Sequence, residues 1–367
     1  MPRRSLPSRG RISSSSGTTG KCATRRVNGL SRYFLAVTIG HDVNNFADRI
    51  YLHAKIHALR QSLFANEDYR RIIRAGSIHA AFPETLTEKN ATDLSRSKDA
   101  VFRWQIAVII SFIGITAHYR GLFRAFLLLF ELDNIKLVAS RSYGRCPLLA
   151  RWNDVSPYGV MDNSCRDADI SLEDLRNILM DTPLAGALEE GETPCYEVLE
   201  SRLDRRAIEN LAGYARKLRP RDRAIYNDLV LMKIASLKIL WEYRLARYRD
   251  REGGFDQFDP AECSGPAGRS AVTAMENSVR AMIRRAYPSG AAAAGGLDPA
   301  GIELFLDRAF IARADRAFSR DFHSICPVIS FAWLLYYQVR TLFRIIEGFH
   351  AELPPEAIYE GIIGFDK

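Results

Sequence analysis

The sequence predicts an all-α protein. Apolar residues recur at helical rather than alternating spacing through nearly every patterned segment, and no convincing run of strand-like alternation occurs. Two stretches rich in glycine and proline divide the helical sequence into three long segments, so three similar helical units in succession are expected.

Composition bounds the possibilities. The chain has 367 residues, 47% hydrophobic and 26% charged, with 15 prolines and 24 glycines. That is globular composition and excludes a collagen-like, wholly disordered or disulfide-stapled chain. The net charge of +8 invites a nucleic-acid reading, but residues 1–32 hold eight bases (Arg3, Arg4, Arg9, Arg11, Lys21, Arg25, Arg26, Arg32) and no acid. The remaining forty-three bases face 43 acids, so the body is neutral and no nucleic-acid partner is expected. Cys22, Cys146, Cys165, Cys195, Cys263 and Cys326 form no C-x-x-C pair and suit reduced thiols. Residues 1–45 form a basic, Ser-rich tail with transit-peptide composition; a disordered extension or a misassigned start would read the same way. The tail is set aside from fold reasoning.

The first unit spans 46–150. Asn66 precedes Glu67 and Asp68, which places acids in a helix's first turn. The most apolar run, Ile106 to Ala117, is about 18 Å long as a helix against a hydrocarbon core of about 30 Å. Extending it to Phe130 would put Arg120 and Arg124 in lipid, so a buried helix is expected instead. Phe123, Leu127, Phe130, Asn134 and Leu137 then form one apolar stripe with an asparagine inside it. Residues 143–169, with Gly144, Pro147, Pro157 and Gly159, read as a connection.

The second unit, 151–250, opens with a capping arrangement at Ser171-Leu-Glu-Asp174. Val230, Ile234, Leu237, Trp241 and Leu245 give it a single-faced helix. Residues 251–301 read as a flexible link: Gly253-Gly254, Pro260 and Gly265-Pro266, a short helix near 271–286, then Gly290-Ala-Ala-Ala-Ala-Gly-Gly296. The third unit, 302–367, carries the stripe Val328, Phe331, Leu335, Val339, Leu342, Ile346, again expected on one face. Pro354-Pro355-Glu356 then opens a closing helix.

The three segments resemble one another near their centres. Aligning Ile135, Leu237 and Leu342 gives spacings of 102 and 105 residues, with Asn134, Ser236 and Thr341 before them and bases close behind. These polar residues either fix packing between units or bond within their own helices.

Catalytic patterns are absent. No glycine-rich phosphate loop and no G-x-S-x-G elbow occurs. Asp167-Ala-Asp169-Ile-Ser171 begins like a calcium loop but has Leu172 where the turn needs glycine and Ile178 where a bidentate glutamate belongs. His53 and His57 share helical spacing, but Ala54 stands where a metalloprotease needs glutamate, and they read as exposed helix histidines. Asp133 and Lys136, at i and i+3, read as a local ion pair. No cofactor, metal or catalytic residue is expected, which favours a binding or structural role.

The segment from Tyr51 to Tyr69 resembles the opening helix pair of the C-type stalk protein of the archaeal and bacterial V/A-type ATPases, whose eukaryotic counterpart is the d-type protein of the V-ATPase. Tyr51, Ala54, Lys55, Ala58, Leu59, Leu63, Phe64, Glu67, Asp68 and Tyr69 occupy that opening's places. The repeated Asp-x-x-Asn-Leu-Lys…Arg signature is similar to Asp133-Asn134-Ile135-Lys136…Arg141, with Ser236 and Lys238 in the second copy. The closing helix resembles Thr341-Leu342, Gly348 and Leu353-Pro-Pro-Glu356-Ala-Ile358. The resemblance spans about residues 46–364. It departs in having Ser236 and Thr341 for asparagine and Phe343 for a base.

Several things are implied by the resemblance: three helical units in a pseudo-threefold funnel, a position on the cytoplasmic face of the membrane proteolipid ring, and shaft subunits D and F entering the funnel. The protein would be a non-catalytic rotor coupler, monomeric within a hetero-oligomeric complex that transports protons or sodium. Tyr51, Lys55, Glu67, Asp68, Tyr69, Asp133, Asn134, Lys136, Arg141, Lys238, Thr341, Leu342 and Gly348 are the motif positions, structural or at interfaces. A helical-repeat scaffold for soluble partners is the alternative.

Overall fold

Helix-forming sequence, capped and broken where expected, gives eleven α-helices and no strand among the described residues. The computed structural model describes residues 42–82, 93–115, 119–145, 152–189, 193–246, 261–287, 298–320 and 324–364. The tail to residue 41 and the glycine-bearing stretches at 251–260 and 288–297 lie outside them. The chain divides into two compact units, Met1–Val43 and Asn44–Lys367, and the second carries the architecture.

In chain order the helices are α1 (Asp42–Ser62), α2 (Asn66–Ala75), α3 (Leu94–Ile115), α4 (Arg120–Ser142), α5 (Leu172–Leu179), α6 (Tyr196–Gly213), α7 (Pro220–Ala246), α8 (Ala261–Ala286), α9 (Pro299–Phe318), α10 (Cys326–His350) and α11 (Pro355–Glu360). Three short-linked pairs dominate: α3 with α4, α6 with α7, and α9 with α10. Each pair is antiparallel. Phe102 meets Phe130 while Phe112 meets Phe123, and Phe310 meets Trp333 while Glu303 meets Arg340. Between pairs, α4 packs on α6, α7 on α9, and α10 back on α3, so the six helices form a closed cycle of contacts. The helix α8 lies against α7, burying Val272, Val279 and Ile283. It is 26 residues long, well beyond the short helix expected near 271–286.

The apolar stripes do not stop at one face. From Cys326 to Val339 every residue of α10 is buried, and α4 buries most of its circumference. This corrects the single-faced expectation: a helix between ring neighbours has partners on several sides and is apolar nearly all round. The run beginning at Ile106, in α3, buries one face through Ile106, Ile109, Phe112 and Ile113 and leaves Ala107 and Gly114 exposed, and no described helix is long and apolar enough to cross a membrane.

Local signals are realised. Ser171 Oγ accepts from Asp174 N at 3.1 Å, while Asp174 Oδ2 accepts from Ser171 N, a reciprocal cap on α5. Asp68 Oδ2 likewise accepts from Ala65 N at 2.8 Å, at the cap position of α2, with Glu67 and Asp68 in its first turn. Cys165, Cys195 and Cys326 are thiols, not joined in disulfides. His53 is buried, and His57 packs its ring on Phe318, correcting the exposed reading of both. Phe318 lies at the end of α9, which Arg60 also reaches through Asp315.

Candidate functional site

Five helices of the ring, α4, α6, α7, α9 and α10, leave between them a cavity of about 190 Å³. Its walls are unusually charged for a ring interior. They carry five carboxylates, Asp133, Glu200, Asp204, Glu303 and Asp307, and four bases, Lys136, Lys233, Arg244 and Arg340. Helical spacing sets this up: Glu200 and Asp204 on α6, Glu303 and Asp307 on α9, and Tyr336 and Arg340 on α10 are each four apart and share a face.

Every base in the cavity is held by a carboxylate. Lys136 reaches across from α4 to Asp204 at 2.6 Å and Glu200 at 3.1 Å. Asp204 also accepts from Trp241 Nε1 through its second oxygen at 3.1 Å. From α7, Lys233 binds Asp307 at 3.1 Å and Arg244 binds Glu303 at 2.7 Å, while Arg340 of α10 reaches Glu303 at 3.3 Å. A third junction closes the cycle outside the cavity, where Lys98 of α3, 2% exposed, pairs with Glu347 of α10. A lysine therefore crosses each of the three seams between helix pairs, buried at Lys98 and half-buried at Lys136 and Lys233.

The electrostatics follow the pairing. Burial opposes the charge on Lys136, but Asp204 and Glu200 outweigh it and hold the ammonium above the usual lysine range. Burial likewise opposes the Asp307 carboxylate, yet Lys233, Arg340 and hydrogen bonds from Tyr337 and Lys233 keep it below the usual range. Asp133 sits at the rim; desolvation against the cavity wall raises its carboxyl, with Arg340 and Lys136 opposing. Beside the cavity, Tyr196 is pushed up to about 12, first by burial. Among the described residues no group of three metal-ligating side chains occurs. The arrangement is one of ion-pair staples that lock helices together.

The expected local pair of Asp133 and Lys136 does not form. Two carboxylates on α6 bind Lys136 instead, and Asp133 receives only a long contact from Asn153 Nδ2 at 3.4 Å. Asn134 bonds neither within its helix nor into the cavity. Its amide clasps the backbone of Asn153, donating to the carbonyl at 2.7 Å and accepting from the N–H at 2.6 Å. One turn away, buried Glu131 accepts from Met161 N at 2.5 Å, and the bare Cα of Gly159 makes room, since a Cβ there would lie 2.9 Å from Glu131 Oε1. Together they fasten the 152–161 connection onto α4.

The other motif positions lie elsewhere. Lys238, aligned with Lys136 by sequence, turns outward to Glu276 of α8 at 2.8 Å, and Ser236 takes the cavity-facing place. Thr341 Oγ1 donates to the Ile363 carbonyl at 2.7 Å and also meets the Tyr69 hydroxyl, tying the C-terminal segment to α2 and α10. Leu342 is fully buried there, and Gly348 lets Ile358 of α11 approach. Arg141 donates to the Arg166 carbonyl. Tyr51 is exposed, Lys55 stands 5.5 Å above the Phe112 ring, and Glu67 faces Arg70 and Arg74 on the surface.

Sequence reasoning therefore reached Asp133, Lys136 and Ser236 in the cavity but missed Lys233, Asp307 and Arg340. The signal was available: each is a charge set among buried apolar neighbours (Met232 and Ile234, Leu306 and Phe310, Val339 and Leu342). No curated protein matches the chain. A family model described as the ATP synthase (C/AC39) subunit matches residues 52–361, from α1 through the close of α11. That match takes in all six ring helices and the cavity between them, and the chain belongs to the ATP synthase (C/AC39) subunit family.

Proposed function

We propose that the protein is a non-catalytic central-stalk subunit of a V/A-type rotary ATPase, coupling the rotating shaft to the membrane proteolipid ring for proton or sodium transport. Membership of the family makes it a subunit of such an ATPase; the rotor role is the further step. The observation that carries it is the closed cycle of helix pairs with a lysine–carboxylate pair at every seam. An element that passes torque must resist shear between its parts. Close-packed helices are stiff, and cross-seam pairs add directional bonds where sliding would otherwise begin. In this reading shaft subunits D and F bear on one end of the ring and the proteolipid ring on the other, at the cytoplasmic face.

Affinity purification of the tagged protein from gently solubilised native membranes, followed by mass spectrometry, tests the proposal. Recovery of nucleotide-binding, shaft and proteolipid subunits together is expected. An assembled ATPase isolated independently and lacking this chain would overturn the rotor role and leave a scaffold for other partners.

A further inference from the structure

All three helix pairs turn at the same end of the ring. Gly121, in the first turn of α4, stands against Tyr214 of the α6–α7 turn, where a Cβ would lie 3.3 Å from the ring. Asp222, in the first turn of α7, accepts from Ile325 N of the α9–α10 turn at 3.0 Å. This end is strongly basic. Arg216, Lys217, Arg219, Arg221 and Arg223 crowd the α6–α7 turn, and all are exposed. Arg120 opens α4 and Arg320 follows α9, exposed as well. Among the described residues of the three turns the one acid, Asp222, is buried. Arg120 and Arg223 donate to backbone carbonyls, and neither has an ion-pair partner among the described residues. The same holds for Arg216, Lys217, Arg219 and Arg320. Toward the opposite end, where α10 closes, bases are neutralised: Arg70 and Arg74 meet Glu67, Arg71 meets Asp68 and Arg96 meets Asp93.

Charge of one sign at one end fits an anionic partner. Its distribution selects the kind. The bases are spread over three separate turns rather than lining one groove, which suits an extended lipid face better than a single acidic strand. An exposed apolar pair stands at the same end. The helix α1 leads there: Phe64 meets Gln338, midway along α10, while Arg60 and His57 meet Asp315 and Phe318 at the close of α9. Seven residues before His57, about 10 Å further along the helix, come Ile50 and its neighbour Tyr51, 54% and 55% exposed. Guanidinium groups for phosphate and apolar side chains for the acyl boundary are what a peripheral protein presents to lipid. We propose that this hairpin-turn end of the ring docks on anionic phospholipid headgroups. The choice of a lipid partner rests on the rotor reading and deepens it, by naming the end of the ring that faces the membrane.

Flotation of the purified full chain with phosphatidylcholine vesicles, with and without phosphatidylserine, tests it. The eight bases of residues 1–32 attract such vesicles on their own, so they are replaced by glutamine in every chain compared. Binding is expected only where phosphatidylserine is present. Arg216→Gln, Lys217→Gln and Arg219→Gln together should weaken it about a hundredfold, the combined worth of three bases near an anionic surface. Arg71→Gln, Arg74→Gln and Arg96→Gln remove the same charge toward the opposite end and should change it by less than about twofold. Thermal melting reports folding. If the first triple does not fold, Arg120→Gln with Arg320→Gln takes its place, with an expected loss of about thirtyfold. No binding, equal binding without phosphatidylserine, or no greater loss from the hairpin-turn variants than from the opposite end would each overturn the proposal. The vesicle test needs no other subunit, so its failure leaves the co-purification test of the rotor role standing.

Discussion

Lys233 and Asp307 meet at 3.1 Å across the seam between α7 and α9, and the Tyr337 hydroxyl bridges them, accepting from Lys233 and donating to Asp307 at 2.6 Å each. Three helices from two successive pairs thus share one buried polar knot. Removing one member leaves the others without solvent to fall back on.

Lys233→Met should cost up to about 3 kcal/mol in urea unfolding, because it strips the Asp307 side chain, 4% exposed, of its ion-pair partner and leaves only the Tyr337 hydroxyl and the more distant Arg340 to support the charge. Adding Asp307→Leu should recover most of the loss, since the charge is then gone. The pH dependence has a fixed sign. The Asp307 pKa is depressed below 3.8 in the fold, so its contribution is complete above that value and is lost as the pH falls through the native value. Unfolding curves followed from pH 5 down into the acid range should show this slope in the unaltered chain and a shallower one in the double variant, where Asp154 and Glu197 still contribute.

Glu131 behaves oppositely. Desolvation raises its carboxyl above 4.5, against the backbone bonds from Met161 and Val160. Its contribution is therefore complete below the unfolded value and declines as the pH rises through the native one. Relative to the unaltered chain, Glu131→Gln should be more stable at pH 8 than at pH 5. A stability difference that is the same at both values would contradict this assignment.

Gly348→Ala should destabilise the closing helix, because the new Cβ would stand 2.7 Å from Ile358 Cγ1. Overpacking of this kind costs about 1–3 kcal/mol. Ile358→Ala introduced beside it should leave no further clash, so the two losses will not add. Amide exchange across 355–363 would report the loosening directly.

Ser171→Ala should lower stability by about 1 kcal/mol through loss of the reciprocal cap on α5. Ser171 is exposed, so denaturant unfolding should register the cap alone.

Much of the architecture was legible because it is local. The period of Phe123, Leu127 and Phe130, the cap at Ser171 and the prolines before α11 act within a few residues of themselves. The extent of burial was not legible. A stripe such as Val328 to Ile346 marks one face that must be covered, and only neighbours on the other sides reveal that Ile329, Trp333 and Tyr337 are covered too. The family signature was also visible, but it mixed residues with different tasks: Lys136 in the cavity, Lys238 on the outer face, Thr341 and Gly348 at the C-terminal segment.

By itself the sequence determined that this chain is helical, where several helices begin, and which residues seek burial, since each follows from interactions along one helix. Only the tertiary structure decided who meets whom. Lys136 passes over Asp133, three residues away, for Asp204, 68 residues away. The reason is energetic: at the rim an i, i+3 pair competes with water and gains little, whereas a lysine enclosed by α6 must find a counter-charge within reach. That choice exists only once six helices have closed into a cycle.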